Sequence, residues 1–122
     1  MAMSFRALRG ATTIDEDTPE QISERVVELL GAMMKQNAVE HDDLISVLFT
    51  ATDDIHSMFP ALAARQIGWG DVPLLCAREL DITGATPLCI RVLVHLMSER
   101  GRGELHHVYL HGARGLRDDL PE

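Results

Sequence analysis

Residues 76 to 91 read Cys-Ala-Arg-Glu-Leu-Asp-Ile-Thr-Gly-Ala-Thr-Pro-Leu-Cys-Ile-Arg, a polar segment between two apolar runs. The runs on either side, residues 72–77 and 89–97, are rich in Val, Leu and Ile, and each predicts a buried strand. A helix is the competing prediction for residues 89–97, but β-branched residues at alternate positions favour the strand. Arg91 lies within that apolar run. A guanidinium is costly to desolvate alone, so we expect a carboxylate such as Glu79, or an anionic ligand, to bind it.

A long amphipathic helix is predicted over residues 19 to about 37. Thr18 is the expected N-cap, Pro19 suits the first helical position, and Gln21 is placed to complete a capping box. Apolar side chains recur at steps of three and four residues and form one stripe, which consists of Ile22, Val26, Leu29, Leu30, Met33 and Met34. The side expected to face water carries Glu20, Glu24 and Glu28.

The remaining apolar runs predict one short helix, over residues 60 to about 67, and three more strands, over residues 4–11, 44–51 and 105–110. Residues 82–88 contain a glycine and a proline and are expected to cross between strands without regular structure. Five short strands mixed with two helical elements predict an α+β fold of α/β-like character, in which a mixed five-stranded sheet carries both helices on one face. The other face would be bare, so we expect the chain to oligomerise through its sheet.

The composition is typical of one soluble domain. At 122 residues the chain can bury roughly two thirds of its unfolded surface, and residues from about 112 to 122 are expected to form a flexible tail. No segment approaches the roughly 20 apolar residues of a membrane span, and the first residues lack the apolar core of a signal peptide. We therefore expect a cytoplasmic protein with no membrane partner, in which Cys76 and Cys89 are reduced thiols.

The net charge of −8 is concentrated in one segment. Residues 15–54 contain eleven acidic residues, with Arg25 and Lys35 as the basic ones, so the rest of the chain is close to neutral. Nucleic-acid binding requires a basic face, and this distribution therefore argues against nucleic acid as the main partner. It leaves room for a compact basic pocket elsewhere.

Arginines and a tyrosine recur on the predicted strands. Arg9, Arg91 and Tyr109 project from three of them. Glu79 is the acid predicted to lie beside them. Further arginines on helical or flexible segments are Arg65, Arg114 and Arg117. Because a guanidinium fork meets a carboxylate with two hydrogen bonds, this excess of donors suits a dicarboxylate or a phosphate ligand.

Other kinds of site find less support in the sequence. Cys76 has no histidine close to it in sequence and is expected to be a pocket-wall residue rather than a nucleophile. His107 and His111 would lie about 13 Å apart on a strand, too far to share a zinc ion. Asp53 and Asp54 are expected to cap or turn the chain, since no third metal ligand stands at a suitable spacing. We therefore expect neither a metal nor a cofactor.

Six segments together resemble one family. They are Arg-Gly-Ala-Thr-Thr at 9–13, Asp-Ile-His-Ser-Met-Phe-Pro-Ala at 54–61, Val-Pro-Leu-Leu-Cys at 72–76, Glu-Leu-Asp-Ile-Thr-Gly at 79–84, Cys-Ile-Arg at 89–91 and His-Val-Tyr-Leu at 107–110. In this order and spacing they resemble the monofunctional, trimeric chorismate mutases of the Bacillus type, and the resemblance spans nearly the whole chain. It implies a pseudo-α/β-barrel homotrimer with an active site at each subunit interface.

The reaction implied by this resemblance is the unimolecular rearrangement of chorismate to prephenate, an isomerase step of phenylalanine and tyrosine biosynthesis. By the family pattern Arg91 would donate to the ether oxygen, where negative charge develops. Arg9 and Tyr109 would hold a substrate carboxylate, and Glu79 would accept a hydrogen bond from the ring hydroxyl. Further substrate contacts would come from Cys76, Phe59, Arg65, Leu75, Leu116 and Arg117.

Two positions depart from the family pattern. Leu62 replaces a lysine often found at the entrance of the site, and Leu75 replaces a threonine beside the cysteine. Both changes bear on how strongly the mouth of the site attracts substrate rather than on the reaction itself.

A rival interpretation is a small-molecule binder or imine deaminase of the Rid type, which builds a similar trimer with arginine at its subunit interfaces. A fold by itself does not separate these two activities. The combination of Arg9, Arg91, Glu79 and Tyr109 favours the mutase.

Overall fold

In the computed structural model, which describes residues 2 to 116, the chain forms five strands and two helices. The strands are β1 (Ser4–Thr13), β2 (Leu44–Ala51), β3 (Leu74–Arg78), β4 (Cys89–Ser98) and β5 (Val108–Tyr109), and the helices are α1 (Pro19–Gln36) and α2 (Pro60–Gln66). The order in the sheet is β3-β2-β4-β1-β5. Strand β4 runs antiparallel to β1 and β2, whereas β3 is parallel to β2 and β5 is parallel to β1. The predicted mixed five-stranded sheet is confirmed.

Helix α1 begins where the sequence predicted. The Thr18 hydroxyl accepts a hydrogen bond from the Gln21 backbone N–H at 3.2 Å, and Pro19 occupies the first turn. The second half of the predicted capping box is wrong, because the Gln21 side chain accepts from the backbone N–H groups of Asp15 and Glu16, at 2.7 and 3.1 Å. Gln21 thus stabilises the loop that leads into the helix rather than the N-cap residue itself.

The core lies between the helices and one face of the sheet. Five residues of the predicted α1 stripe are buried, and Met34 is half-buried beside them. A Cβ atom at Gly10 would collide with the Sδ atom of Met33, so glycine lets α1 approach β1 closely. Within the described residues, neither helix combines the length and the apolar character that crossing a membrane requires.

Arg25 is a buried charge that the sequence analysis did not identify. It lies on the inner side of α1 with 8% of its surface exposed. Its guanidinium pairs with Asp15 at 2.9 Å and donates to the backbone carbonyl of Thr13. Thr13 is the last residue of β1, and Asp15 lies in the connection to α1, so Arg25 ties the helix to the end of the strand. Its charge is thereby compensated, as burial requires.

In the part of the chain that the structure describes, neither helix packs on the opposite face of the sheet, as predicted. Alternate residues of β1 and β4 point to it, and those of β2 and β3 continue the same surface. Two large apolar side chains are strongly exposed there, Phe5 at 59% and Leu75 at 65%. This surface, formed by the sheet residues that point away from both helices, is called the open face below.

Three predicted boundaries are corrected by the pairing of the strands. β1 continues two residues beyond the predicted end, because Thr12 and Thr13 pair with the first residues of β4. β3 begins at Leu74, two residues later than predicted. β5 has two residues instead of six, because only Val108 and Tyr109 find partners on β1, and a 3-10 turn at Arg102–Glu104 precedes them.

Another 3-10 turn, His111–Ala113, follows β5 and overlaps the start of the segment predicted to be a tail. The remainder of that segment, residues 117 to 122, lies outside the described residues, as does the predicted site residue Arg117.

Candidate active site

The register of the sheet brings the predicted site residues of three strands together. Ala11 on β1 is the partner of both Arg91 on β4 and Tyr109 on β5, and Arg9 lies two residues before it. Their side chains line one cavity of about 240 Å³ on the open face, to which Glu79 also contributes. Two arginines, one tyrosine and one carboxylate that are far apart in the sequence therefore form a single cluster.

Glu79 is the partner of Arg91, as predicted. The Arg91 Nε atom lies 3.6 Å from Glu79 Oε2, which is an ion pair but longer than a normal hydrogen bond. The premise that Arg91 is enclosed by apolar residues is wrong, because 45% of its side chain is exposed. Strand alternation explains the difference, since the neighbours of Arg91 in sequence point to the helix side while Arg91 points to the open face.

Thr50 is a site residue that sequence reasoning missed. It pairs with Arg91 across β2 and β4, and its hydroxyl donates a hydrogen bond to Glu79 Oε2 at 2.6 Å. The backbone N–H of Glu79 also donates to the carbonyl of Ala51 at 3.0 Å. Two contacts from the end of β2 therefore orient the carboxylate. The available signal was the alternation of β2, which places Thr50 on the same face as Leu48.

Arg9 presents a guanidinium to this cavity that is unpaired within the described part of the chain. Its backbone N–H donates to His107 Nδ1 at 3.0 Å, but its side chain makes no hydrogen bond or ion pair with any residue from 2 to 116. One carboxylate thus stands opposite two guanidinium groups. The cavity has an excess of positive charge and fixed donors, an arrangement that favours an anionic ligand.

The structure places other predicted residues away from this cluster. Phe59 and Cys76 line a second cavity of about 560 Å³, together with Leu62 and the loop before α2. Cys76 faces the helix side of β3, where it pairs with the buried Phe49, so in one chain it does not lie beside Glu79 as the family pattern implied.

Three further predicted residues line neither of these two cavities. Leu75 projects from the open face of β3, Arg65 is exposed on α2, and Leu116 is half-buried at the end of the described chain. One chain therefore presents two separate groups of predicted site residues.

The two cysteines and the adjacent residues Asp53 and Asp54 have structural roles. Both thiols are free, and burial raises the pKa of Cys89, an effect that the nearby charge of Arg91 only partly offsets. Asp53 pairs with Arg78 at 2.8 Å, while Asp54 accepts the backbone N–H of Leu88 at 2.9 Å, in line with the predicted capping role. Among residues 2 to 116, no group of three or more His, Cys, Asp or Glu side chains is arranged to hold a metal ion.

Asp17 holds the loop that forms the wall of the second cavity. Its carboxylate accepts hydrogen bonds from the backbone N–H groups of His56 and Ser57, at 2.8 and 3.1 Å, and from the Ser57 hydroxyl at 2.7 Å. Desolvation alone would raise the pKa of Asp17, but these hydrogen bonds outweigh it, so the pKa lies below its usual value.

We expect replacement of Asp17 by asparagine to lower the melting temperature at neutral pH. The folded-state pKa of Asp17 is depressed, so its contribution to stability is present above the unfolded pKa of about 3.9 and is lost as the pH falls through the folded value. The difference between wild type and variant should therefore shrink as the pH drops below about 4. Thermal melts from pH 3 to pH 7 measure it, with Asp42→Asn at an exposed position as control; a difference that stays constant with pH would contradict the assignment.

Comparison with known proteins places the chain in a family. A family model described as "Chorismate mutase type I" matches residues 5–120. The chain is 39% identical over 119 residues to chorismate mutase AroH of Bacillus subtilis (strain 168), covering 97% of this chain and 94% of that protein. It is 47% identical over 116 residues to chorismate mutase AroH of Thermus thermophilus, covering 94% of this chain and 95% of the relative.

A solved structure shows the same likeness in three dimensions. The chorismate mutase from Clostridium thermocellum superposes with a TM-score of 0.87 at 41% identity, covering 89% of this chain and 97% of that one. The family model, the two relatives and the solved structure each match almost the full length of the chain. The chain belongs to the chorismate mutase type I family.

Proposed function

We propose that this protein is an isomerase that converts chorismate to prephenate, a step of aromatic amino-acid biosynthesis. The observation that carries this proposal is the open-face cavity in which Arg91, paired with Glu79, stands beside the guanidinium of Arg9 and beside Tyr109. The family matches favour this activity over the Rid-type alternative. A cytoplasmic location belongs to the same proposal, since both cysteines are free thiols, as in a reducing compartment.

In this reaction the ether C–O bond breaks ahead of C–C bond formation, and negative charge gathers on the ether oxygen. A donor that is already aimed at that oxygen stabilises the transition state more than the ground state. Arg91 suits this role, because its strand backbone is fixed by pairing on both sides and its guanidinium keeps its charge at any physiological pH. Its long contact with Glu79 leaves guanidinium N–H groups for the substrate.

The other members of the cluster would bind and orient the substrate. Arg9, whose guanidinium has no partner among residues 2 to 116, and Tyr109 would hold a carboxylate of the dianion. Glu79 would accept a hydrogen bond from the ring hydroxyl, in an orientation that Thr50 helps to set. Holding the chain of the substrate over its ring in the reactive conformation lowers the barrier without any proton transfer or covalent intermediate.

We further propose that the site is completed in a homotrimer, at each interface between subunits. The open-face cavity of one chain, about 240 Å³, is smaller than the roughly 300 Å³ or more of most ligand pockets and is partly open to solvent. The exposed Phe5 and Leu75 on the same face support burial against a second copy. A neighbouring subunit would then supply Phe59, Cys76, Leu75 and Arg65 as walls and mouth, and the segment with Leu116 and Arg117 would cover the bound dianion.

The proposed activity is tested by incubating the purified protein with chorismate and following its loss and the formation of prephenate. We expect turnover that is unaffected by chelators and that varies little between neutral and mildly alkaline pH, since arginine keeps its charge and no acid or base takes part. A bell-shaped rate profile centred near neutrality would instead indicate catalysis by histidine or cysteine. Intact chorismate after prolonged incubation with the folded protein would exclude the activity.

A further inference from the structure

Tyr109 sits on a strand too short to hold it in place. β5 contributes two residues to the sheet, and its register with β1 consists of the pairs Gly10–Val108 and Ala11–Tyr109. A two-residue ladder at the edge of a sheet opens easily, because few hydrogen bonds resist its separation. The position of the phenol in the cavity therefore depends on contacts made on either side of β5.

On the upstream side, side chains hold the backbone before the strand. Asn37, which is 1% exposed, accepts the N–H of His106 on its Oδ1 at 2.6 Å and donates from Nδ2 to the His106 carbonyl at 2.9 Å. His107 in turn accepts the backbone N–H of Arg9. The chain thus enters β5 from a well-anchored position.

On the downstream side, the chain turns sharply and is seated on β1. The N–H of Leu110 donates to the carbonyl of Ala11, and the N–H of Gly112 donates to the Thr13 hydroxyl, both at 2.9 Å. A Cβ at Gly112 would approach the Thr13 Oγ1 to 2.8 Å, and Ala113 is fully buried. Both the exit from β5 and the start of the C-terminal segment are defined here.

His111 lies at the centre of this turn in an unfavourable backbone conformation. Its φ angle of +52° is in the left-handed region, which residues with a Cβ atom adopt only when surrounding contacts hold them there. Its side chain reaches α1, where the Nε2 atom lies 2.8 Å from Oε1 of Glu28. The expected water-facing side of α1 thus makes a specific contact with the segment that follows Tyr109.

We propose that Glu28 and His111 form a clasp that positions Tyr109 and the start of the C-terminal segment for substrate binding. Neither residue touches the open-face cavity, so both are positioning residues. The clasp joins the long helix α1, fixed by its buried stripe, to the one left-handed residue of the turn, and so adds a side-chain contact to the backbone hydrogen bonds that seat the turn on β1. This inference rests on the proposed function, because it assigns Tyr109 to the binding of the chorismate dianion.

The direction in which KM for chorismate changes when Glu28 is replaced separates the clasp from a general effect of charge. Glu28 is an acid, and removing an acid from a protein of net charge −8 favours the approach of a dianion. Charge alone therefore predicts a lower KM when Glu28 is replaced. Loss of the clasp predicts a higher KM, because Tyr109 and the turn after it would have to be ordered when the substrate binds.

The experiment compares Glu28→Ala, Glu28→Gln, His111→Gly and the double variant Glu28→Ala/His111→Gly with wild type. Glycine at position 111 tolerates the positive φ angle, so that variant removes the imidazole without adding backbone strain. Glu24→Ala is the matched control, since Glu24 is an exposed acid one turn earlier on α1 and forms no ion pair within residues 2 to 116. The readouts are KM and kcat for chorismate, the melting temperature, and hydrogen exchange of the amides of residues 108 to 113.

We expect Glu28→Ala and His111→Gly each to raise KM by a factor of about two to five, the range set by an exposed ion pair, while kcat stays close to wild type. The double variant should be no worse than either single one. Glu28→Gln keeps a hydrogen-bond acceptor and should recover part of the loss. Amide exchange at residues 110 and 112 should quicken in Glu28→Ala but not in Glu24→Ala.

A KM that falls or stays unchanged in Glu28→Ala, or one that rises equally in Glu24→Ala, would overturn the clasp. So would unchanged exchange at residues 108 to 113. The exchange readout does not depend on turnover, so a wild-type protein that leaves chorismate intact would refute the proposed function without deciding the contact between α1 and the turn.

Discussion

Replacement of Arg91 by alanine is expected to lower kcat by about a hundredfold to a thousandfold, which corresponds to about 3 to 4 kcal/mol of lost transition-state stabilisation. The guanidinium is the donor proposed for the ether oxygen, and that oxygen carries most of its negative charge in the transition state. KM should change less than kcat. Arg91→Lys keeps the charge but not the planar fork and should recover only part of the loss.

The structural alternative is that Arg91 serves mainly to neutralise the charge of the Glu79 carboxylate and so to stabilise the fold. The geometry predicts only a small loss of stability, because Glu79 keeps the hydrogen bond from Thr50 when Arg91 is removed, and the ion pair is long and partly exposed. Thermal melts and steady-state kinetics on the same variant separate the two roles. Arg100→Ala, which removes a guanidinium that donates to the Gln36 carbonyl, is the control for the loss of a structural arginine. A destabilised Arg91→Ala protein whose folded fraction turns over chorismate normally would remove Arg91 from the mechanism.

A charge on the open face is expected to dissociate the proposed trimer. Phe5 is 59% exposed in one chain, so glutamate at this position should leave the stability of an isolated subunit nearly unchanged. In an assembly that buries this face, the same substitution would bury an unpaired charge at a cost of about 3 to 5 kcal/mol per subunit. Sedimentation equilibrium should show species smaller than a trimer at micromolar concentration. Chorismate turnover should decrease as the fraction of trimer decreases, because each site is proposed to need two subunits.

The matched control for the assembly is Ile67→Glu. Ile67 is another exposed apolar residue, at 41%, but it ends α2 on the helix side of the sheet. This variant should remain trimeric and active. Wild-type protein that sediments as a stable monomer, or Phe5→Glu protein that assembles like wild type, would contradict the proposed interface.

The local elements of this protein are determined by its sequence. Thr18 and Pro19 mark the start of α1, the spacing of its apolar residues marks the face that is buried, and the predicted range of β2 agrees with Leu44–Ala51. These features depend on neighbours within a few residues, namely a cap, a helical period and an alternation between two faces. The candidate residues Arg91 and Glu79 were also identified from the sequence, because an arginine within an apolar run requires a carboxylate or an anionic ligand. That reasoning found the partner of Arg91 but not its exposure, which the orientation of its side chain toward the open face decides.

Only the tertiary structure decided which predicted segments find partners. The apolar run at residues 105–110 has the composition of a strand, yet only Val108 and Tyr109 enter the β-ladder with β1. No local sequence pattern indicates where that ladder begins or ends. The same limit applies to Thr50, whose hydrogen bond to Glu79 joins residues 29 positions apart. These contacts depend on the register between strands, which residues that are neighbours in sequence do not determine. The register also places Arg9, Arg91 and Tyr109 near Ala11. Cys76, by contrast, points to the other side of the sheet.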